Sequence, residues 1–205
     1  YDHGPWGADV VLAGLNLCQE TLDGIRNHSW SRPSPTSVEG QIVSWADRIA
    51  YCAHDLEDAI GAGIVSPGDL PAEVAEVAGR TRREQLATFI RSVIAATSSA
   101  GLVGMDPVAA GALASLRAFN YERIYTRPES VAQSDAVIAL LRALVEHYAD
   151  QPADLPEELR DDPGTPSAVR SAVTYVAGMT DRYAFDTAVA LLDWDPDKLP
   201  KGISG

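Results

Sequence analysis

The sequence has few cysteines and no long apolar run. Its 205 residues include only Cys18 and Cys52, which lie in apolar helical patterns and form neither a C-x-x-C motif nor a Cys/His cluster. Both thiols are therefore predicted to be core residues rather than metal ligands. No apolar run approaches the length of a membrane span, and the first residues lack the features of a signal peptide. We therefore expect a cytoplasmic protein without membrane contact.

Positive charge is also scarce. Lysine and arginine together number 16 against 29 aspartates and glutamates, which gives a formal net charge of −13. Because neutralising many phosphates requires a surplus of basic residues, this balance argues against a general nucleic-acid binder. A polyanionic nucleotide would have to be held locally, by a few converging arginines or by metal ions.

Strand patterns and internal repeats are missing as well. Apolar residues recur at helical spacing along most of the chain, interrupted by an SRPSP loop at 31–35 and an acidic, proline-rich loop at 150–166. A content of 46% hydrophobic and 22% charged residues is ordinary for a globular protein. The sequence predicts an all-α fold, one multi-helix bundle and a single domain over residues 1–205.

Capping residues mark several helix boundaries. A short helix is predicted over 72–78, Thr81 and Glu84 form a capping box, and Asp106 precedes Pro107 as N-cap and first residue. The other predicted boundaries are a first helical stretch from about Ala8 to Asn27 and His28, a start at Pro128, and a break at Gly178 within a last stretch from Ser167 to Asp193.

The most informative stretch runs from residue 36 to residue 60. Thr36 is predicted to be its N-cap, in a capping box with Glu39. Apolar residues then recur every three or four positions and are predicted to form one buried stripe: Ile42, Ala46, Ile49, Ala53, Leu56 and Ile60.

The opposite side of this helix carries a row of acidic residues. Asp47, Tyr51, Asp55 and Asp58 follow one another at helical spacing, and Arg48 lies about 100° around the helix from Asp47. Three aspartates without a lysine partner would repel one another unless a cation or sugar hydroxyls lay beside them. The alternative is an ordinary solvated acidic face, and the spacing alone leaves both interpretations open.

Several blocks of the sequence resemble the HD-superfamily deoxynucleoside triphosphate triphosphohydrolases, the bacterial dGTPase group. The letters EGQ at 39–41, ADRIAY at 46–51 and HDLED at 54–58 match the signature helix of that family in order. Upstream, residues 14–25 match a GLNL-x-x-E-T-L-x-G-I block, and downstream YVAGMTDRYA at 175–184 matches another. The resemblance covers most of the chain and implies a helical phosphohydrolase.

The resemblance assigns roles to the acidic row. It implies that Asp47 is the last of four ligands to a divalent metal, Mg²⁺ or Mn²⁺, with another transition metal as the alternative. It implies that Tyr51 packs on the deoxyribose, that Asp55 accepts a hydrogen bond from its 3′-hydroxyl, and that Arg48 lies near the triphosphate. A half-buried aromatic is the competing interpretation of Tyr51.

Three further residues match the family more loosely. Arg117 corresponds to a phosphate-binding basic residue and Tyr121 to a second sugar-stacking tyrosine, with a surface ion pair and core packing as the respective alternatives. His3 corresponds to a catalytic histidine near the phosphates, able to donate a proton. Its alternative is a surface histidine without a role.

The sequence also departs from the family. The H-x-x-R and H-D motifs, which supply three metal ligands, should precede His3 and are missing, so the 205 residues are expected to be catalytically incomplete. Three explanations compete: a C-terminal portion of a longer enzyme, a shortened paralogue that binds nucleotides or forms oligomers without hydrolysis, and a site completed by a separate chain.

The implied parent reaction is hydrolysis of a dNTP to deoxynucleoside and inorganic triphosphate. The implied partners are a deoxynucleoside triphosphate and further copies of the chain in a homo-oligomer. Residues 1–65, with the signature helix at 37–60, would be the remainder of the HD core, and residues 66–205 a C-terminal helical region. A purely structural helical scaffold that binds no nucleotide is the remaining alternative.

Overall fold

The computed structural model describes residues 2–200, and within this range the regular structure is entirely helical. The all-α prediction is therefore confirmed. The α-helices are α1 (His3–Trp6), α2 (Gln19–Asn27), α3 (Val38–Gly61), α4 (Ala72–Ala78), α5 (Arg82–Ala100), α6 (Pro107–Asn120), α7 (Pro128–Asp150), α8 (Pro166–Ala177) and α9 (Asp181–Leu192). Two π-helical turns, Gly7–Val11 and Tyr121–Tyr125, continue α1 and α6.

The described helices cluster into two compact units, residues 2–126 and 127–200. The domain predicted over 1–205 extends past the described residues at both ends, and its organisation as one domain stays a prediction. Each unit has its own hydrophobic core. None of the helices in residues 2–200 has the length and apolar content needed to cross a lipid bilayer.

The core of the first unit lies between α3, α4, α5 and α6. Phe89, Leu113 and Leu116 are among its largest fully buried side chains, and Cys52 of α3 is fully buried beside them. Burying a side chain of this size stabilises the fold by about 1.5–3 kcal/mol. The core fixes α3 and α6 against each other, and these two helices carry most of the predicted site residues.

The core of the second unit lies between α7, α8 and α9. Leu140 and Leu144 of α7 are fully buried there, and Tyr148 is nearly so. Small alanines on α8 and α9, such as Ala172 and Ala188, allow these helices to approach α7 closely. The loop predicted at 150–166 is present and contains two short 3₁₀ turns.

Several predicted helix boundaries are confirmed. The Thr81 hydroxyl accepts from the backbone N–H of Glu84, and the Glu84 carboxylate accepts from the Thr81 N–H, so both halves of the capping box are formed. Asp106 caps α6 by accepting from two backbone N–H groups. Helix α4 has the predicted bounds, and α8 ends at Gly178.

Other expectations about local structure are wrong. Ser37, not Thr36, caps α3, because the backbone N–H and hydroxyl of Thr36 both donate to the Asp23 carboxylate, at 2.7 and 2.8 Å. These two hydrogen bonds hold Thr36 and lower the pKa of the Asp23 carboxyl group. The first helical stretch is interrupted by a turn at 12–18.

The predicted apolar stripe of α3 is buried only in its C-terminal half. Ile49, Ala53 and Leu56 lie in the core, whereas Ile42 is 46% exposed, because the first turns of α3 bury another side, on which Gly40 and Ser44 lie. Cys18 is exposed rather than in the core, since it lies just before α2, outside the packed part of the unit.

Candidate functional site

A cleft of about 740 Å³ opens in the first unit. Its lining includes five residues that the sequence predicted for the site: His3, Asp47, Tyr51, Arg117 and Tyr121. The remaining lining residues are Asp2, His28, Ser29, Trp30, Ser31 and Tyr125. They come from α1, the segment after α2, α3, α6 and the π-helical turn, so elements distant in sequence converge on one cavity.

A second cavity in this unit, of about 550 Å³, is a weaker candidate. Its lining is mainly apolar and small, including Gly24, Ile25, Gly40 and Val43. No arginine or lysine lines it, and the carboxylates of Glu20 and Glu39 in its lining would repel a phosphate. The charged cleft is therefore the candidate site.

Helix α3 positions the acidic row as its spacing predicted. Asp47 and Tyr51 are exposed on one side of the helix, and Asp55 is half-buried one turn further on. Asn120, fully buried at the end of α6, donates its side-chain amide to the carbonyl of Cys52 at 2.9 Å. This bond ties α6 to α3 at the level of the row, so the π-helical turn that follows Asn120 lies beside Tyr51.

Tyr125, in that π-helical turn, is a site residue that the sequence analysis missed. Its ring stacks on Tyr51, with centroids 5.8 Å apart and planes 29° apart, and it meets the Tyr121 ring edge-on, with centroids 6.4 Å apart. The Tyr125 hydroxyl donates a hydrogen bond to the Asp55 carboxylate. Burial, followed by this bond, raises the pKa of Tyr125. Asp55 does not line the cleft itself but anchors a tyrosine that does.

The arginines meet at Trp30, a second residue that the sequence analysis missed. The Arg117 guanidinium carbon lies 4.7 Å from the centre of the Trp30 ring, and that of Arg48 lies 4.9 Å from it. Arg48 does not line the cleft, and burial lowers its pKa, opposed by the charge of Asp47 and reinforced by that of Arg117. Among residues 2–200, no carboxylate lies within ion-pair distance of either guanidinium.

His3 is held by a second histidine at the edge of the cleft. The Nε2 atoms of His3 and His28 are 3.0 Å apart, and Nδ1 of His28 lies 2.7 Å from the carbonyl oxygen of Ile25. Because a carbonyl only accepts, His28 must carry its proton on Nδ1, and its neutral form accepts at Nε2. His3 therefore donates from Nε2, and its Nδ1 remains for a ligand.

The described residues do not fit a divalent metal site by themselves. In the part of the chain from residue 2 to residue 200, no group of three His, Cys, Asp or Glu side chains is placed to hold an ion. Asp47 is one carboxylate, whereas useful affinity requires several converging ligands. The metal role that the resemblance gives to Asp47 stays a prediction.

Of the two missed residues, only Tyr125 had a signal in the sequence. Tyr121 and Tyr125 are four residues apart, a spacing that places both side chains on one side of a helix. Trp30 follows His28 in a short loop, and an isolated aromatic there carries no spacing signal that would link it to Arg48 and Arg117. Only the fold brings the indole to these arginines.

The comparisons with known proteins agree with the motifs. Residues 103–189 match the phosphohydrolase-associated domain. The deoxyguanosinetriphosphate triphosphohydrolase-like proteins of Caldanaerobacter subterraneus subsp. tengcongensis and of Clostridium perfringens strain SM101 are each 33% identical to this chain over 83% of its length, and the match covers 50% and 52% of their own lengths. The corresponding protein 1 of Deinococcus radiodurans is 32% identical over 87% of this chain and 58% of its own length.

The chain thus spans about half the length of the curated relatives it matches. A match over 83% of the chain leaves too few residues outside it to omit α3 or any helix from α4 to α7, so the similarity includes the signature helix. Over more than four fifths of its own length the chain is therefore similar to dGTPase-like phosphohydrolases.

Proposed function

We propose that this chain forms the sugar- and phosphate-contacting part of a dNTP triphosphohydrolase whose reaction releases deoxynucleoside and inorganic triphosphate. The observation that carries the proposal is the charged cleft, where His3, Asp47, Tyr51 and Arg117 converge from three helices. The family, whose relatives are named as triphosphohydrolase-like proteins, supports the same substrate class.

The stacked tyrosines offer a surface for the deoxyribose. Tyr51 and Tyr125 present an aromatic pair to the cleft, and Asp55 fixes the second ring through its hydroxyl. Because Asp55 does not line the cleft, its part in sugar binding is indirect and consists of holding Tyr125, rather than the contact to the 3′-hydroxyl that the resemblance implies. A pair packed closely on the sugar would leave no space for a 2′-hydroxyl, which favours deoxynucleotides.

The phosphates would be bound by arginine. Arg117 lines the cleft with no carboxylate partner among the described residues, and a guanidinium binds phosphate oxygens in bidentate geometry. This local charge is necessary because the chain as a whole carries a net charge of −13. Arg48, on the other side of the Trp30 contact, adds to the positive potential from behind the lining.

His3 is the proton donor in this proposal. A protonated His3 donates one N–H to the Nε2 atom of His28 and keeps Nδ1–H for the 5′-oxygen, which leaves as the deoxynucleoside hydroxyl when water bonds to the α-phosphorus and triphosphate is released. His28 thereby orients the ring. The ligands that a divalent ion would need are not assembled within residues 2–200.

Calorimetric titration of the chain with dGTP and GTP tests the proposal. We expect dGTP to bind at least about tenfold more tightly than GTP, because the site would have to exclude the 2′-hydroxyl. Tyr51→Ala should abolish the difference, whereas Tyr183→Ala, which removes an exposed tyrosine of the second unit, should preserve it. Equal affinities for dGTP and GTP would rule out the sugar site.

A non-catalytic nucleotide-binding module is the second candidate, favoured by the lack of a metal-ligand cluster in the described range. Incubation of the full-length parent enzyme with dGTP and Mn²⁺ separates the two. Release of intact triphosphate supports hydrolysis, and binding without release supports the module. Pyrophosphate released together with dGMP would contradict the proposed reaction. Assembly into a homo-oligomer and a cytoplasmic location remain predictions of the resemblance and the sequence.

A further inference from the structure

We propose that Trp30 is a positioning residue for the phosphate subsite: its indole ring holds Arg117 at the cleft and Arg48 behind it, and it leaves both positive charges without a neutralising carboxylate within residues 2–200. The inference rests on the proposed function and deepens it, since it states how two cations are kept together without an acidic partner.

The geometry is that of one aromatic ring shared by two cations. Trp30 lines the cleft from the segment after α2, while Arg48 and Arg117 come from α3 and α6, and both guanidinium carbons lie within 5 Å of the ring centre. Two like charges so placed repel each other, as the effect of Arg117 on the pKa of Arg48 reflects. The electron-rich face of the indole attracts each guanidinium and offsets this repulsion.

An aromatic ring has an advantage over a carboxylate in this position. A carboxylate would neutralise a guanidinium and compete with phosphate for its N–H groups, whereas an indole leaves the charge and the donors in place. The chain uses carboxylates elsewhere: Asp9 pairs with Arg26, Glu57 with Arg82 at 2.7 Å, and Asp2, itself at the cleft, with Arg32 at 3.6 Å. Unlike the arginines of these three ion pairs, the two arginines at Trp30 have no carboxylate partner among the described residues.

The indole N–H does not explain the tryptophan. Nε1 of Trp30 is buried and has no hydrogen-bond partner among the described residues, which costs free energy rather than supplying it. The ring is therefore the functional part of the side chain. Trp45 also approaches Arg48, at 5.4 Å, but not Arg117, so only Trp30 joins the two cations.

The test uses the 205-residue chain and inorganic tripolyphosphate, a probe that carries neither sugar nor base. Trp30→Leu should raise the dissociation constant for tripolyphosphate about tenfold, and Trp30→Phe, which keeps a weaker aromatic face, about threefold. Trp194→Leu is the matched control, because Trp194 is also half-buried and lies in the second unit. It should leave the constant unchanged.

A double-mutant cycle separates positioning from general destabilisation. In an Arg48→Gln, Arg117→Gln background, Trp30→Phe and Trp30→Leu should have no further effect on tripolyphosphate binding, while melting temperatures report any loss of fold. If Trp30→Leu does not fold, Trp30→Phe in both backgrounds carries the test. Equal effects in both backgrounds would overturn the inference, as would a chain that does not bind tripolyphosphate. Tripolyphosphate binding that depends on Trp30, with dGTP no better than GTP, would reject the sugar site and retain the phosphate subsite.

Discussion

The two units of this protein differ in where they place polar chemistry. The first unit buries Ser44, Gln85 and Asn120 and has a cleft lined by histidine, aspartate, arginine and tyrosine. In the second unit, as far as it is described, Thr187 is the one buried polar side chain, and the core is otherwise aliphatic, alanine and tyrosine. Buried polar groups cost stability unless they are hydrogen-bonded, and Ser44, Gln85 and Asn120 each donate to a backbone carbonyl, which fixes the local geometry of the first unit.

The tyrosines show the same contrast. In the first unit Tyr125 donates to a carboxylate and stacks on Tyr51 at the cleft. In the second unit the hydroxyls of Tyr175 and Tyr183 bond each other at 3.0 Å, and Tyr148 packs edge-on against Tyr175. The tyrosines of the first unit form a surface that a ligand can contact, whereas those of the second unit connect α8 to α9.

Family similarity and site chemistry are also distributed differently. The match to the phosphohydrolase-associated domain spans 103–189, which includes α6 and its π-helical turn but not α3. The cleft therefore combines a helix outside the matched region with residues inside it. A domain match alone would have located Arg117 and Tyr121 and omitted Asp47 and Tyr51.

The largest expected effects come from truncating one buried leucine in the core of each unit. Leu116→Ala in the first unit and Leu144→Ala in the second each remove a fully buried leucine, and each should lower the free energy of unfolding by about 2–5 kcal/mol. Only Leu116→Ala should also weaken tripolyphosphate binding, because Leu116 precedes Arg117 on α6. Urea denaturation and calorimetry measure the two quantities. If both variants lost tripolyphosphate binding equally, binding would not depend on the first unit alone.

A smaller effect compares the two tyrosine hydroxyls. Tyr125→Phe deletes a hydrogen bond to a half-buried carboxylate and should cost about 1.5 kcal/mol of stability. Tyr183→Phe deletes a bond between exposed hydroxyls and should change stability by no more than about 0.5 kcal/mol. Chemical denaturation of the two variants gives the comparison. If both cost the same, the Asp55 contact is not the anchor of the π-helical turn.

Local signals in the sequence were sufficient for much of this fold. The capping box at Thr81 and the N-cap at Asp106 depend on residues three or fewer positions apart, and both are formed. The acidic row of α3 needed only helical spacing. In contrast, the N-cap of α3 was assigned one residue too early, because the acceptor that engages Thr36 is Asp23, thirteen residues away.

The site required information that no local pattern contains. Tyr125 reaches Asp55 across seventy residues, and Trp30 meets arginines from two different helices. These contacts follow from how α3 and α6 pack, which burial of Leu116 and Phe89 decides. The family resemblance supplied Asp47, Tyr51 and Arg117 by position, but it did not supply the residues that hold them.

The smallest expected effect is measured through the reactivity of the cysteine thiols. It reports on the first unit alone, since Cys18 and Cys52 are the only cysteines of the sequence and the second unit has none. Burial raises the pKa of the Cys52 thiol from 9.0 to about 12, so at pH 8 only about one molecule in ten thousand would carry the thiolate even if a reagent could reach it. The native chain should therefore react with one equivalent of a disulfide reagent, at exposed Cys18.

Above about pH 9 the unfolded chain loses the Cys52 proton before the folded chain does, so the stability of the fold should decrease as the pH rises toward 12. The second equivalent of reagent should react as the first unit unfolds. Two equivalents reacting at once at pH 8 would show that α3 is not held in the core, and the row of Asp47, Tyr51 and Asp55 would then have no fixed position.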